Sequence, residues 1–378
     1  MKRIISFFLL AAIWIIPSRN VFSQATNLPT PDHIVILIFE NHGYSEIIAS
    51  ANAPHINALA KDTLSALFTQ SYGVEHPSQP NYLDLYAGCN QGVTGDAVPG
   101  GTPFTTENLG SELVAAGRTF ITYSEDLPNV GYNGASSNAY ARKHNPAANW
   151  MGTGTNQIPI QTNQPFSAFP IDFSKLPDVC YVVPNLNNDM HDGTIAQGDA
   201  WMFTNLNNYI QWAKTHNSLF IMTFDEDDNS DANKVATIFA GQMVKAGTYS
   251  ETINHYSILR TIEDIYGLPY ACNAASAVPI TDSWHILSGI TDASSSNAHP
   301  VSLYPNPTTG MLTILLEKTQ IGKFITLEIF DALGKMVLEK NLADMITQEI
   351  QVKLAVSGAY IIRLSDGKNL YTQKISVQ

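Results

Sequence analysis

The chain reads as an α/β protein, a doubly wound and mostly parallel sheet, with a small all-β sandwich at its C-terminal end. Three observations predict this. His33 to Phe39 is an uninterrupted apolar run that breaks into Glu40-Asn41-His42-Gly43, the pattern of a parallel strand covered on both faces. Arg118 to Tyr123, Val179 to Val183 and Leu219 to Phe224 repeat it, each ending in polar sequence with helical segments between. Beyond Thr291 the periodicity falls to two, and short strands alternate with turns containing Gly310, Gly334, Gly358 and Gly367, as a sandwich requires.

The elements follow in order. Lys2 and Arg3, an apolar run from Ile4 to Ile16 and the small-residue approach Val21-Phe22-Ser23 form a secretory signal peptide over residues 1–23. No later segment approaches the roughly 20 apolar residues of a membrane span, so the mature chain is expected to be exported without a transmembrane segment. Residues 24–290 hold the α/β domain. Within it, Ala200 to Lys214 places Met202, Leu206, Tyr209, Ile210 and Ala213 on one helix face, which is core packing. In such domains ligands bind outside the carboxyl ends of the strands, where Glu40 and Asp225 stand. Asp292 to Asn297 is small and polar, a linker assigned to residues 291–298. In residues 299–378 the expected strands are Met311 to Glu317, Ile325 to Phe330, Lys335 to Lys340, Glu349 to Leu354, Tyr360 to Leu364 and Leu370 to Val377. No nucleophile or metal-ligand cluster falls among them, so an address or attachment role fits better than catalysis.

With 378 residues, 44% of them hydrophobic, the chain can fill one large core and a smaller second one. Its formal charge of −13, from 20 basic and 33 acidic residues, argues against a nucleic-acid partner, which would need clustered Lys and Arg. A small phosphate ester remains compatible, provided that a metal ion or a helix N-terminus supplies local positive charge. Cys89, Cys180 and Cys272 allow at most one internal disulfide, and the three possible pairings stay open.

Four groups of residues carry candidate chemistry. In His76-Pro77-Ser78-Gln79-Pro80-Asn81-Tyr82, Ser78 stands at the start of a helix continued by Leu83, Leu85 and Tyr86. Backbone N–H groups there would face an anion beside its hydroxyl; a plain capping serine is the alternative. Glu40-Asn41 offers oxygen donors suited to a hard cation. Asp225-Glu226-Asp227-Asp228-Asn229 follows a buried strand, and adjacent acids repel unless solvent or a cation relieves them. An EF-hand loop is excluded, because Ser230 and Ala236 replace its defining Gly and Glu. Last come His144, His191 and His255, each in a polar setting. His191, between Asp189 and Asp192, is suited to protonating a leaving alcohol. No Gly-x-Ser-x-Gly elbow surrounds Ser78 and no Gly-rich nucleotide loop follows the first strand. A nucleophilic hydroxyl, a cation site and a proton donor together make phosphoryl transfer.

Ile38-Phe39-Glu40-Asn41, the Ser78 phrase, Lys143-His144-Asn145-Pro146, Asn188-Asp189-Met190-His191-Asp192 and Phe224-Asp225-Glu226-Asp227, in that order over Pro31 to Leu287, resemble the phosphoesterase family of bacterial acid phosphatases and phospholipases C, relatives of alkaline phosphatase. The resemblance implies an alkaline-phosphatase-like fold and a phosphoserine intermediate on Ser78. It also implies one divalent metal ion, of unspecified identity, held by Glu40, Asn41, Ser78, Asp225 and Glu226. Glu226 stands where acid phosphatases of the family commonly have a second Asp. His191 carries over as a catalytic residue, with Asn81, His144, Asp192 and His255 as substrate contacts. Leu303-Tyr304-Pro305-Asn306-Pro307-Thr308-Thr309-Gly310, Phe330 to Lys335 and Gly358 to Leu364 resemble the C-terminal sorting domain of the type IX secretion system, which implies that machinery as a partner.

The expectation is therefore a secreted or cell-surface, metal-dependent phosphoric ester hydrolase of acid-phosphatase type, acting on a small phosphate ester or a phospholipid head group. A phospholipase C-type phosphodiesterase and a non-catalytic exported cation-binding protein are the alternatives. Residues 129–164, rich in Gly, Asn and Ser, form the expected rim; Tyr132, Tyr140 and Trp150 there could contact an organic leaving group, with surface packing the more common role for any one of them.

Overall fold

The computed structural model describes residues 28–285, 301–316, 326–331, 335–342, 349–354, 356–365 and 370–377. The expected signal peptide and linker lie outside the described residues. The chain falls into two compact units, the first ending at His285.

In the first unit, β1 (His33–Phe39) is followed by α1 (Tyr44–Ile47), α2 (Pro54–Ala60), β2 (Ser65–Tyr72), α3 (Ser78–Ala87), α4 (Leu109–Ala115) and β3 (Phe120–Ser124). A small ladder of β4 (Ser136–Ser137) with β5 (Tyr140–Ala141) and the short β6 (Asn163–Pro165) lead to β7 (Val179–Val183) and the long α5 (Ile195–Ala213). Then come β8 (Ser218–Phe224), β9 (Lys234–Ala240), β10 (Gly247–Tyr249), β11 (Ile253–Asn254) and α6 (His255–Tyr266). The central sheet runs β10-β2-β9-β8-β1-β7-β3-β6, with β11 also on β2. Its pairings are parallel except those of β9 with β2 and β8.

Alternation along β1 explains why that strand is apolar throughout. Ile34, Ile36 and Ile38 enter one core with residues of α3, α4 and α6; Val35, Leu37 and Phe39 enter the other with α2 and α5. Each such side chain contributes about 1.5–3 kcal/mol by leaving water, and a strand buried on both faces collects this at every position. The register pairs Phe39 with Phe224 across parallel β1 and β8. The next residue of each strand, Glu40 and Asp225, therefore emerges at the same sheet end.

Several boundaries differ from the sequence expectation. The helix expected from Ala200 begins at Ile195, because Thr194 accepts the N–H of Gln197 while the Gln197 side chain accepts that of Thr194, a capping box. The strand expected from Arg118 begins at Phe120, since Arg118 and Thr119 are drawn to the carboxylate of Asp178 at 2.7 and 2.8 Å. β2 and β9, both interior strands of the sheet, had no counterpart in the periodicity. The disulfide joins Cys89, just beyond α3, to Cys272, and leaves Cys180 buried in β7. The aromatic rim is corrected as well. Trp150 and Tyr140 are buried; Trp150 packs edge-on against Tyr86 and Phe104, so these are core side chains.

In the second unit β12 (Val301–Tyr304), β13 (Met311–Leu316), β14 (Thr326–Asp331), β15 (Met336–Asn341), β16 (Glu349–Lys353), β17 (Gly358–Ser365) and β18 (Leu370–Val377) form two antiparallel sheets, β12-β13-β16 and β15-β14-β17-β18. Leu312, Ile314 and Ile350 from one sheet share a core with Leu327, Ile329, Ile362 and Leu364 from the other, which makes the unit a sandwich. β12 was not expected from the sequence.

Candidate active site

The site gathers at the carboxyl ends of β1, β7 and β8. Asp225 donates its backbone N–H to the carbonyl of Phe39 (3.0 Å), and Glu40 donates its own to the carbonyl of Asp189 in the loop after β7 (2.9 Å). Three strand-end loops are thereby tied together. Asn41 adopts a left-handed backbone, φ 49°, which Asn tolerates, and its N–H donates to Asp225 Oδ1 at 3.1 Å.

Ser78 is the first residue of α3 and is buried. Pro77 occupies the cap position, and the Ser78 hydroxyl makes no capping bond. It stands 2.9 Å from Glu40 Oε2 and 3.0 Å from Glu226 Oε1, one proton shared between two carboxylates. The loop feeding α3 comes close to the acid loop at Gly73, where a Cβ would lie 2.7 Å from the carbonyl of Asp225. Only glycine fits that approach.

The acid run divides by role. Asp225 and Glu226 are buried and face the site, whereas Asp227 accepts the N–H groups of Asn229, Asp231 and Asn233 and shapes its own loop. Asp228 lies at the surface. Sequence reasoning gave no role to His76, whose Nδ1 stands 2.5 Å from Glu226 Oε2 and whose Nε2 stands 3.4 Å from Asp227 Oδ1. Its place in the Ser78 phrase was the available signal.

The opposite wall is made of imidazoles. His144 is buried, stacked on Tyr82 with ring centroids 5.2 Å apart, and its Nδ1 lies 2.9 Å from Asp189 Oδ2. Asp189 entered the sequence reading only as a neighbour of His191; here it orients His144. Burial, then the nearby Lys143 and His191, hold the His144 imidazole well below its usual pKa. It is neutral, with Nδ1–H given to Asp189 and Nε2 left as an acceptor. That bare Nε2 stands 3.2 Å from Glu40 Oε2 without hydrogen-bond alignment. His191 Nδ1 lies 2.7 Å from Asp192 Oδ1, and its Nε2 lies 3.1 Å from Lys143 Nζ.

Two of the sequence-predicted contacts also bond the backbone of the site loops. Asn81 is buried; its side chain accepts from the N–H groups of Val74 and Glu75 and donates to the carbonyls of Glu75 and Pro77, closing the loop before α3. His255, which burial pushes down to about 4, donates from Nε2 to the carbonyl of Asp225 at 2.6 Å. Both side chains hold site residues in place.

The donor set suits a cation. Glu40 Oε1 and Asp225 Oδ2 are buried without hydrogen-bond partners, a costly state that a bound ion relieves. Burial, joined by the charges of Asp225 and Asp189, raises Glu40 well above the usual carboxylate range. Burial and Glu226 do the same to Asp225. Without positive charge these acids would hold protons. Two overlapping donor sets share Glu40: the oxygens of Glu40, Asn41, Ser78, Asp225 and Glu226, and a triad of Glu40, His144 and His191 whose ligand atoms lie within 4.8 Å of one another. A bare imidazole nitrogen facing a carboxylate oxygen is the arrangement that a cation between them stabilises.

Residues 47–269 match the model described as the Phosphoesterase family, and residues 302–378 match the Secretion system C-terminal sorting domain. The chain is 47% identical over 280 residues to a Mycobacterium tuberculosis protein named phosphatidylinositol-3-phosphatase, covering 73% of this chain and 90% of that one. It is 30% identical over 252 residues to an acid phosphatase of Aspergillus fumigatus, covering 61% of this chain and about half (54%) of the relative. Among solved structures, a Vibrio parahaemolyticus protein of the alkaline phosphatase superfamily aligns over 84% of both chains with a TM-score of 0.49 and 12% identity, too distant a likeness to bear on chemistry. With its family model spanning most of the first unit and a close relative spanning nearly its own full length, the chain belongs to the phosphoesterase family, hydrolases of phosphoric ester bonds.

Proposed function

We propose that the chain is an exported, metal-dependent phosphomonoesterase that transfers a phosphoryl group to Ser78 and then to water. The observation that carries this is the buried Ser78 hydroxyl, at the start of a ten-residue helix and within 3.0 Å of two carboxylates from different strand ends. Serine in that setting has an acceptor for its proton and backbone N–H groups ahead of it for the phosphoryl oxygens.

As Ser78 Oγ bonds to phosphorus, its proton passes to the carboxylate of Glu40 or Glu226, and the ester P–O bond breaks. His191, reaching the solvent side of the site with Asp192 on its far nitrogen, gives a proton to the departing alkoxide. Water then attacks the phosphoserine, releasing inorganic phosphate and restoring the hydroxyl. A divalent cation held by Glu40, Asn41, Ser78, Asp225 and Glu226 would supply a lowered hydroxyl pKa and neutralisation of phosphoryl oxygens. Asp189 keeps His144 in one tautomer, and His255 and Asn81 keep the loops of Asp225 and Ser78 in register.

The names of the mycobacterial and fungal relatives support monoesters as the substrate class, with a phosphoinositide monophosphate among the candidates. The sorting-domain match supports export through the type IX machinery by residues 299–378. Purified protein assayed on an aryl phosphate, an aryl phosphodiester and a phosphoinositide monophosphate, with chelator and metal add-back, tests the reading. Monoester turnover that chelation removes and a divalent metal restores is expected. Turnover of none of the three under any metal overturns it.

A further inference from the structure

We propose that Lys143, to which the sequence reading assigned no role, binds the outer oxygens of the phosphoryl group and makes the site selective for a doubly charged phosphomonoester. This rests on the phosphomonoesterase reading and deepens it. Lys143 Nζ lies 3.1 Å from His191 Nε2 and 3.0 Å from Asp96 Oδ2. His191 Nε2 belongs to the group of atoms clustered with Glu40 and His144, and Glu40 accepts from Ser78. The ammonium is thus within one side chain of the nucleophile's own partners.

Asp96 shows what the place accepts. One oxygen of its carboxylate takes the N–H of Gln79, the residue after Ser78, at 3.1 Å, and the other takes Lys143. The Gln79 side chain clamps the same segment by donating to the carbonyls of Gly95 and Ala97 at 2.7 and 2.8 Å. An anionic oxygen pair therefore already bridges a helix-start N–H and an ammonium beside Ser78. Those two donors are what phosphate oxygens recognise. The ion pair is partly solvent-exposed, with Lys143 at 18% and Asp96 at 35%, so its intrinsic stabilisation is small and an incoming dianion can compete for the lysine. A phosphodiester carries one negative charge fewer and gains less from the ammonium.

Full-length protein, wild type, Lys143→Met and Asp96→Asn, is to be assayed on an aryl phosphate and an aryl phosphodiester, and titrated calorimetrically with inorganic phosphate. Asn at position 96 can still accept from Gln79 while losing the ion pair. Losing one charge-assisted hydrogen bond to the dianion should lower monoester kcat/KM about 30-fold and weaken phosphate binding comparably in Lys143→Met. Diester kcat/KM should change less than about threefold, and Asp96→Asn should hold phosphate at least as tightly as wild type. Equal losses on both esters, or an Asp96→Asn defect matching that of Lys143→Met, would make the pair a loop anchor and overturn the proposal. Unchanged phosphate affinity in Lys143→Met would overturn it too. If the wild type turns over neither ester, the enzymatic reading fails, and phosphate titration still decides on Lys143.

Discussion

The two units bury different things. The core of the sandwich is aliphatic apart from Tyr360, and Thr308 is its one buried polar side chain among the described residues. The α/β unit buries Glu40, Ser78, His144, Asp189 and Asp225 in one place. An unpaired buried carboxylate costs several kcal/mol, and folding alone gives no reason to collect several. The sandwich shows what a chain of this composition does when only packing matters. The active-site end shows what it tolerates when positions are kept for chemistry.

Replacing Ser78 by Ala should widen that contrast most. Turnover is expected to fall by about a thousandfold or more, while the unfolding midpoint moves little, because the lost hydroxyl served two carboxylates and no cap. Retained activity would mean that another group is the nucleophile.

Next in size is a pure packing change. Leu327→Ala should destabilise the sandwich by about 2–4 kcal/mol through cavity formation and leave kcat/KM untouched. Calorimetry resolving the two units, with activity measured on the same samples, checks this. A loss of activity matching the loss of stability would break the division of labour drawn here.

The smallest effect concerns buried carboxyls away from Ser78. Burial raises Glu112 in α4 to about 8, and burial with help from Glu112 raises Glu263 in α6 to about 10. Both Glu112 oxygens lack partners. A carboxyl whose folded pKa is raised contributes stability that is complete below its unfolded pKa of about 4.3 and is lost as pH climbs through the folded value. The α/β unit should therefore weaken as pH rises from about 4.3 through about 8 for Glu112 and about 10 for Glu263, and Glu112→Gln should flatten that slope by about 1–2 kcal/mol. Melting curves across this range would show it, with the sandwich transition unaffected. A flat wild-type profile, or one that Glu112→Gln leaves unchanged, would mean that these carboxyls are ionised in the folded protein.

Much of the architecture was legible in the residues. The apolar runs of β1, β7 and β8 and the alternation of the sandwich strands are local patterns, and the observed strands follow them. β2 and β9 escaped because Ser65–Tyr72 mixes polar and apolar residues at its end, and Lys234–Ala240 begins immediately after the acid loop. Ser78, Glu40, Asp225, Glu226, His144 and His191 were all named from sequence, and the structure brings them together. Asn81 and His255 were named as substrate contacts; Asn81 bonds the backbone of the loop before α3, and His255 Nε2 bonds the carbonyl of Asp225 while its buried Nδ1 has no hydrogen-bond partner. His76, Asp189 and Lys143 received no role, because their partners lie on other loops and no spacing rule links them.

The sequence by itself determined that the apolar runs of β1, β7 and β8 and the alternating runs of the sandwich become strands, that an acid follows two of them, and that a serine opens a helix after His76-Pro77. These depend on neighbours within a few residues, where periodicity, capping and chain stiffness act. Tertiary structure alone decided that the Phe39–Phe224 register sets Glu40 beside Asp225, that Ser78 falls between Glu40 and Glu226, and that Asp96 meets Lys143. Those contacts span long stretches of chain, and only closure of the sheet with its helices packed on both faces brings such distant charges within hydrogen-bonding reach.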